Sequence, residues 1–188
     1  MKVLIIPEDQ THDPFIIKPV IEAIFADLAR RAQISVLPEP RLRGTSDALN
    51  GELIREIVAD NPMEDLFILV VDRDCDRLRN DAKAAAIVAA HGGKLLACVA
   101  KQEVEVWMLA LHADAIDRPW REVRDECDPK ERFAEPLLDR LGARGGPGAG
   151  RKAAMRPLAG NVRSLLSRCD ELAALRAQID AWWQARPR

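Results

Sequence analysis

Apolar positions along this chain fall into two kinds, short unbroken runs and longer stretches spaced by three and four. Val3-Leu4-Ile5-Ile6 is an unbroken run that ends at Pro7-Glu8-Asp9, and such a run bounded by breaking residues predicts a buried strand. From Phe15 to Arg31 the apolar residues recur at helical spacing, with Asp13 placed as N-cap and Pro14 in the first turn. Ile34 to Leu37 predicts a second short strand, broken by Pro38-Glu39-Pro40. Ser46 is placed to cap a helix reaching about Asp60 through Leu49, Leu53, Ile54 and Ile57, and Asn61-Pro62 stops it. Leu66-Phe67-Ile68-Leu69-Val70-Val71 has no polar member and reads as a strand covered on both faces, the kind found inside a parallel sheet. An Ala-rich helix is expected from Asn80 to His91, ended by Gly92-Gly93, and a fourth strand from Leu95 to Val99.

Strands alternating with helices of this length predict an α/β fold, a three-layer sandwich around a four-stranded, mostly parallel sheet. After Ala100 the pattern changes. Glu103 to His112 is helical, and beyond it only helical segments follow, near Asp128 to Leu141, Asn161 to Leu166 and Cys169 to Gln184. The expected organisation is an α/β domain over 1–112 with a helical extension over 113–188 packed on it. Gly142 to Gly150 reads as a mobile loop between helices.

Composition narrows the class further. With 48% hydrophobic and 31% charged residues the chain is globular in character, and no stretch approaches the roughly 18 continuous apolar residues of a membrane span. Val3 to Ile6 is too short for the apolar core of a signal peptide, so a cytoplasmic protein is expected. Cysteines at 75, 98, 127 and 169 form no CxxC pair and have no histidines at zinc spacing, which favours free thiols. The net charge of −2 argues against bulk electrostatic coating of nucleic acid, but it hides an asymmetry. From Arg140 to Arg168 there are seven basic residues and no acid, which marks Arg151, Lys152, Arg156 and Arg163 as candidate phosphate contacts.

The candidate chemistry lies where the strands end. Successive parallel strands bring their carboxyl ends to one edge, where open α/β sheets bind ligands. That edge collects Glu8-Asp9 after the first strand and Asp72-Arg73-Asp74-Cys75-Asp76 after the third. Carboxylates at i and i+2 suit a hard cation such as Mg²⁺ or Mn²⁺, and Glu105 on the following helix is a further candidate ligand. Lys101 is placed to neutralise charge in a phosphoryl-transfer transition state. A calcium loop of the EF-hand type is excluded, because its sixth and twelfth positions would be Arg77 and Lys83. Trp107, Trp182 and Trp183 read as packing aromatics, and His12 as incidental to the loop it occupies.

These residues resemble the Toprim domain shared by topoisomerases, primases and the overcoming-lysogenization-defect nucleases. Its signature is a Glu after the first strand and Asp-x-Asp after the third, matched here by Glu8 and by Asp72-Arg73-Asp74. Glu8-Asp9-Gln10-Thr11-His12-Asp13 is similar to the Glu-Gly-x-Thr-(Asp/Glu) opening of small stand-alone bacterial Toprim-like proteins, with Asp9 where they have Gly. Glu103-Val104-Glu105-Val106-Trp107-Met108-Leu109 is similar to their Glu-x-Trp-Leu-Leu helix start, and Asp128-Pro129-Lys130 to a Pro-Lys further on. The resemblance implies an Mg²⁺-dependent nuclease in which Glu8 is general acid or base and Asp72 and Asp74 hold the metal, with Asp76 and Glu105 as additional ligands. It also implies antiviral defence alongside an ABC-type ATPase. The chain has no Gly-x-x-x-x-Gly-Lys-Ser/Thr motif, so any such ATPase is a separate partner. The expected substrate is nucleic acid, DNA ahead of RNA, with a homo-oligomer left open. Two other readings stand beside this one: a non-catalytic Toprim-like scaffold that binds an ATPase or nucleic acid, and a receiver-like phosphoacceptor using Glu8-Asp9, Asp72 and Lys101.

Overall fold

The computed structural model describes residues 1–38, 41–75 and 79–186. Its elements run β1 (Lys2–Pro7), α1 (Pro14–Asp27), β2 (Gln33–Val36), α2 (Thr45–Ala48), α3 (Gly51–Asp60), β3 (Leu66–Asp72), α4 (Arg79–Ala89), β4 (Leu95–Ala100), α5 (Glu105–Ala110), α6 (Trp120–Asp125), α7 (Glu135–Arg140), α8 (Arg151–Ala154), α9 (Val162–Arg168) and α10 (Asp170–Gln184). The four strands form one sheet in the order β2-β1-β3-β4, every neighbouring pair parallel. The fold is thus α/β with an all-parallel sheet and C-terminal helices, as the alternation of runs and helical spacing predicted.

Alternation along the two central strands divides the core into two layers. Val3, Ile5, Leu66, Ile68 and Val70 face one side, where they pack with α1, α5, α9 and α10. Leu4, Ile6, Phe67, Leu69 and Val71 face the other, packing with Ile54 and Ile57 of α3 and Ile87 of α4. Six residues of β3 are fully buried, and each such aliphatic or aromatic side chain stabilises by about 1.5–3 kcal/mol. Leu172, Leu175 and Ile179 of α10 belong to the first layer, and α10 lies against β4. The C-terminal helices therefore share the core of the sheet. No helix among the described residues is long and apolar enough to cross a membrane.

Three local expectations change. The single helix expected from Ser46 is two, because Asn50 interrupts it: its side chain accepts hydrogen bonds from the Glu52 and Leu53 N–H groups and caps α3. Asp13 stands before α1 but its carboxylate makes no cap hydrogen bond. The loop from Gly142 to Gly150 packs on the start of α1; a Cβ on Gly148, at φ +63, would lie 2.4 Å from the Phe15 ring, so only glycine fits there.

The polar anchor of the C-terminal helices is Glu171. Its carboxylate receives Arg124 Nη1 at 3.1 Å, Arg124 Nη2 on its other oxygen, and Trp107 Nε1 at 2.8 Å. Burial acts to raise the Glu171 carboxyl, but hydrogen bonds and attraction from Arg124, with help from Trp107, hold it below the ordinary glutamate value. A carboxyl depressed in the folded state contributes stability that is present above its unfolded value of 4.5 and is lost as pH falls through the folded value. Urea melts from pH 7 to pH 3 are therefore expected to show Glu171→Gln well below wild type at neutral pH, with the gap closing below pH 4.5. A gap constant with pH contradicts this role.

Candidate metal and phosphate site

The carboxyl ends of the parallel strands build the site. After β1 the chain turns outward at Glu8, whose N–H still bonds Val70 O at 3.1 Å. After β3, Asp72 is fixed from three sides: its N–H donates to Glu8 Oε2 at 3.0 Å, its Oδ1 accepts from Val104 N–H at 3.0 Å, and its carbonyl accepts from Asn80 Nδ2 at 3.1 Å. The next turn is held by Gln102, whose carbonyl accepts from the N–H groups of Arg73 (2.9 Å) and Asp74 (3.2 Å). Its side-chain oxygen accepts from Cys75 N–H at 2.9 Å, while its Nε2 is buried with no partner among the described residues.

Asp74, Cys75 and Gln102 have φ of +52°, +58° and +67°. Such left-handed backbone costs non-glycine residues free energy and clusters at functional sites. Thr45, at the start of α2, places its hydroxyl between two carboxylates, donating to Glu8 Oε1 and lying 3.3 Å from Asp74 Oδ2.

Charge at this edge is poorly balanced. None of Glu8, Asp13, Asp72, Asp74 and Glu103 belongs to an ion pair among the described residues. Burial first, then repulsion from Asp13, Glu8, Glu105 and Glu103, pushes the Asp72 carboxyl well above the ordinary aspartate range. Asp13 is 5% exposed; burial and the negative charges of Glu105 and Asp9 push it up to about 8. Glu103 rises to about 7, chiefly by burial, against the Lys130 N–H bonded to its Oε2 at 2.9 Å. Glu8 is also raised, by burial and by Asp74, against the hydrogen bonds from Thr45 and Asp72.

Glu8, Asp72 and Asp74 therefore share one place, the carboxyl edge on which parallel strands end, and Asp13 and Glu103 join them. Asp76 lies outside the described residues. Asp9 bonds within its own loop, its Oδ1 accepting from Thr11 N–H at 2.6 Å and its Oδ2 3.3 Å from His12 Nδ1. Glu105 is buried and bound to Arg151, whose Nε and Nη2 lie 3.1 and 2.5 Å from Glu105 Oε1, each side chain 5% exposed. Arg151 is thus a buried counter-charge of the site, where a surface phosphate contact was expected. Lys101 donates to Asp125 on α6, and its N–H faces Glu171 at 3.5 Å; it bonds none of the acidic cluster. Lys152 and Arg156 are exposed, and Arg163, 93% exposed, lies 3.8 Å from Asp27 on α1.

Asp13, Thr45 and Gln102 are the site residues that pattern reading missed. Asp13 had a signal, since it occurs five residues after Glu8 in the same loop, but N-cap preference explained it equally well. Two of the four cysteines also depart from expectation. Cys75 and Cys127 form a disulfide with Cα atoms 5.5 Å apart, while Cys98 and Cys169 are free and buried. Fifty-two residues separate the bonded pair, and only the meeting of the loops after β3 and α6 brings them together. The bond ties the Asp72–Asp74 turn to the segment carrying Lys130.

The donor set at this edge is carboxylate and hydroxyl oxygen, the chemistry that suits Mg²⁺ or Mn²⁺. Among the described residues no three His, Cys, Asp or Glu side chains already stand as a set of metal ligands; Glu8 is turned to Thr45 and to Asp72 N–H. Compared with known proteins, the chain matches no family model, no curated protein and no solved structure.

Proposed function

We propose that this protein is a divalent-cation-dependent phosphodiesterase acting on nucleic acid, with Glu8, Asp72 and Asp74 at its centre. One observation carries the reading. Asp72 is oriented by Val104 N–H and repelled by Asp13, Glu8, Glu105 and Glu103, and it belongs to no ion pair among the described residues. Carboxylates gathered and buried in this way repel one another, and a bound cation relieves that repulsion. A divalent ion supplies charge stabilisation and orientation to a phosphoryl centre.

The chain's own groups supply the rest. Glu8, held by Thr45 and raised above the usual glutamate value chiefly by burial, is placed for general acid or base work. With a bound ion, Glu8 would serve as a third oxygen donor beside Asp72 and Asp74. Lys101 would have to leave Asp125 to neutralise charge on a bound phosphate. The Toprim resemblance supports a role in antiviral defence with a separate ABC-type ATPase, and the short apolar run at Val3 to Ile6 supports a cytoplasmic setting.

Incubation with labelled oligonucleotides is expected to give cleavage with Mg²⁺ or Mn²⁺ and none with EDTA. Glu8→Gln is expected to lower the rate by about a hundredfold or more, the usual scale for a lost proton-transfer group. Metal-independent cleavage, or a Glu8→Gln variant as active as wild type, contradicts the proposal. So does the absence of cleavage by wild type both alone and with its ATPase partner.

A further inference from the structure

Beside the acidic edge, where α1 begins immediately after Asp13, lies a groove of about 450 Å³ between α1 and the segment 152–156. Its apolar wall includes Phe15, Pro19 and Met155, and its polar rim Lys18, Lys152 and Arg156. Glu22 is the one acid lining it and stands 3.9 Å from Lys18. Lys152 and Arg156 have no carboxylate partner among the described residues. The groove is built by the fold: Arg151, buried on Glu105, anchors the start of α8, and Gly148 lies on the Phe15 ring. The residues that follow the anchor are thereby turned outward beside the site.

We propose that this groove holds one nucleotide of a single-stranded nucleic acid, its base against Phe15 and Met155 and its flanking phosphates on Lys152 and Arg156. The proposal rests on the phosphodiesterase reading above and names its substrate class. Charge complementarity selects a polyanion, and the apolar wall selects the base. A duplex keeps its bases inside the stack, where they cannot meet such a wall, whereas an unpaired strand offers a base face and phosphates together, the pairing that single-strand binding surfaces use. A cavity of this size falls within the range of single-ligand sites.

Fluorescence anisotropy of labelled 12-mers with full-length protein in EDTA tests it without cleavage. Single strand is expected to bind at least tenfold more tightly than the matching duplex. Lys152→Glu with Arg156→Glu, both exposed, is expected to weaken single-strand binding by more than tenfold and to reduce the slope of log K against log salt by about 1.4, at about 0.7 per phosphate contact. Phe15→Leu, checked for an unchanged melting temperature, is expected to weaken it about tenfold through lost stacking; should it melt early, the charge reversal and the comparison of single strand with duplex decide the proposal. Equal binding of duplex, competition by polyglutamate as strong as by unlabelled single strand, or an unchanged salt slope in the charge-reversed variant overturns the proposal. Groove-dependent binding by a protein that cleaves nothing upholds the groove and removes the catalytic reading. Metal-dependent cleavage with a KM indifferent to the charge reversal does the opposite.

Discussion

Asp72→Asn is expected to lose cleavage by about a thousandfold while making the metal-free protein more stable. The side-chain oxygen that accepts from Val104 N–H is retained in Asn, so the turn keeps its hydrogen bond. What disappears is the one carboxyl that Asp13, Glu8, Glu105 and Glu103 all repel when it is charged. Sites held ready for a charged ligand commonly carry such a stability cost. In thermal melts without divalent ions the variant is therefore expected to unfold several degrees above wild type. Mn²⁺ is expected to raise the wild-type midpoint and leave that of the variant nearly unmoved, because a ligand stabilises only the state it binds. A variant that melts below wild type without metal indicates that Asp72 is a structural acid.

Arg151→Met is expected to be among the most damaging single substitutions in the molecule. Arg151 and Glu105 are each 5% exposed and joined through Nε and Nη2. Removing the guanidinium leaves a buried carboxylate without its partner beside acids that already repel it, a loss of about 3–5 kcal/mol. For a domain of this length that corresponds to a fall in Tm on the order of 10 °C. The double variant Arg151→Met, Glu105→Gln is expected to recover most of it, since no charge is then stranded. Equal destabilisation by single and double variants would locate the effect in packing around Gly148 instead.

These two residues mark how far the sequence could be read. Asp72 was legible because six apolar residues ending in an acid describe a buried strand and what stands at its end. The four strands, their parallel order and the coming together of Glu8, Asp72 and Asp74 follow from the same run lengths and from the rule that parallel strands share a carboxyl edge. Arg151 was not legible, because a basic run without acids looks like a solvated surface until the chain folds 46 residues back onto Glu105. The Cys75–Cys127 bond and the Thr45 hydroxyl between Glu8 and Asp74 are contacts of the same kind, made by loops that meet only when all layers are in place. Local capping failed for a different reason. Ser46, expected as a cap, stands inside α2, whose N-cap is Gly44, and α3 is capped by Asn50 after the turn that follows Ala48.

Calorimetric titration of Mn²⁺ into wild-type protein and into Asp72→Asn at neutral pH measures the central claim most directly, because it reads the site without requiring a substrate or a partner. Saturable binding by wild type that is weakened at least tenfold in the variant is the result predicted. No saturable binding by wild type, or equal affinity in the two proteins, contradicts a metal centre built on Asp72.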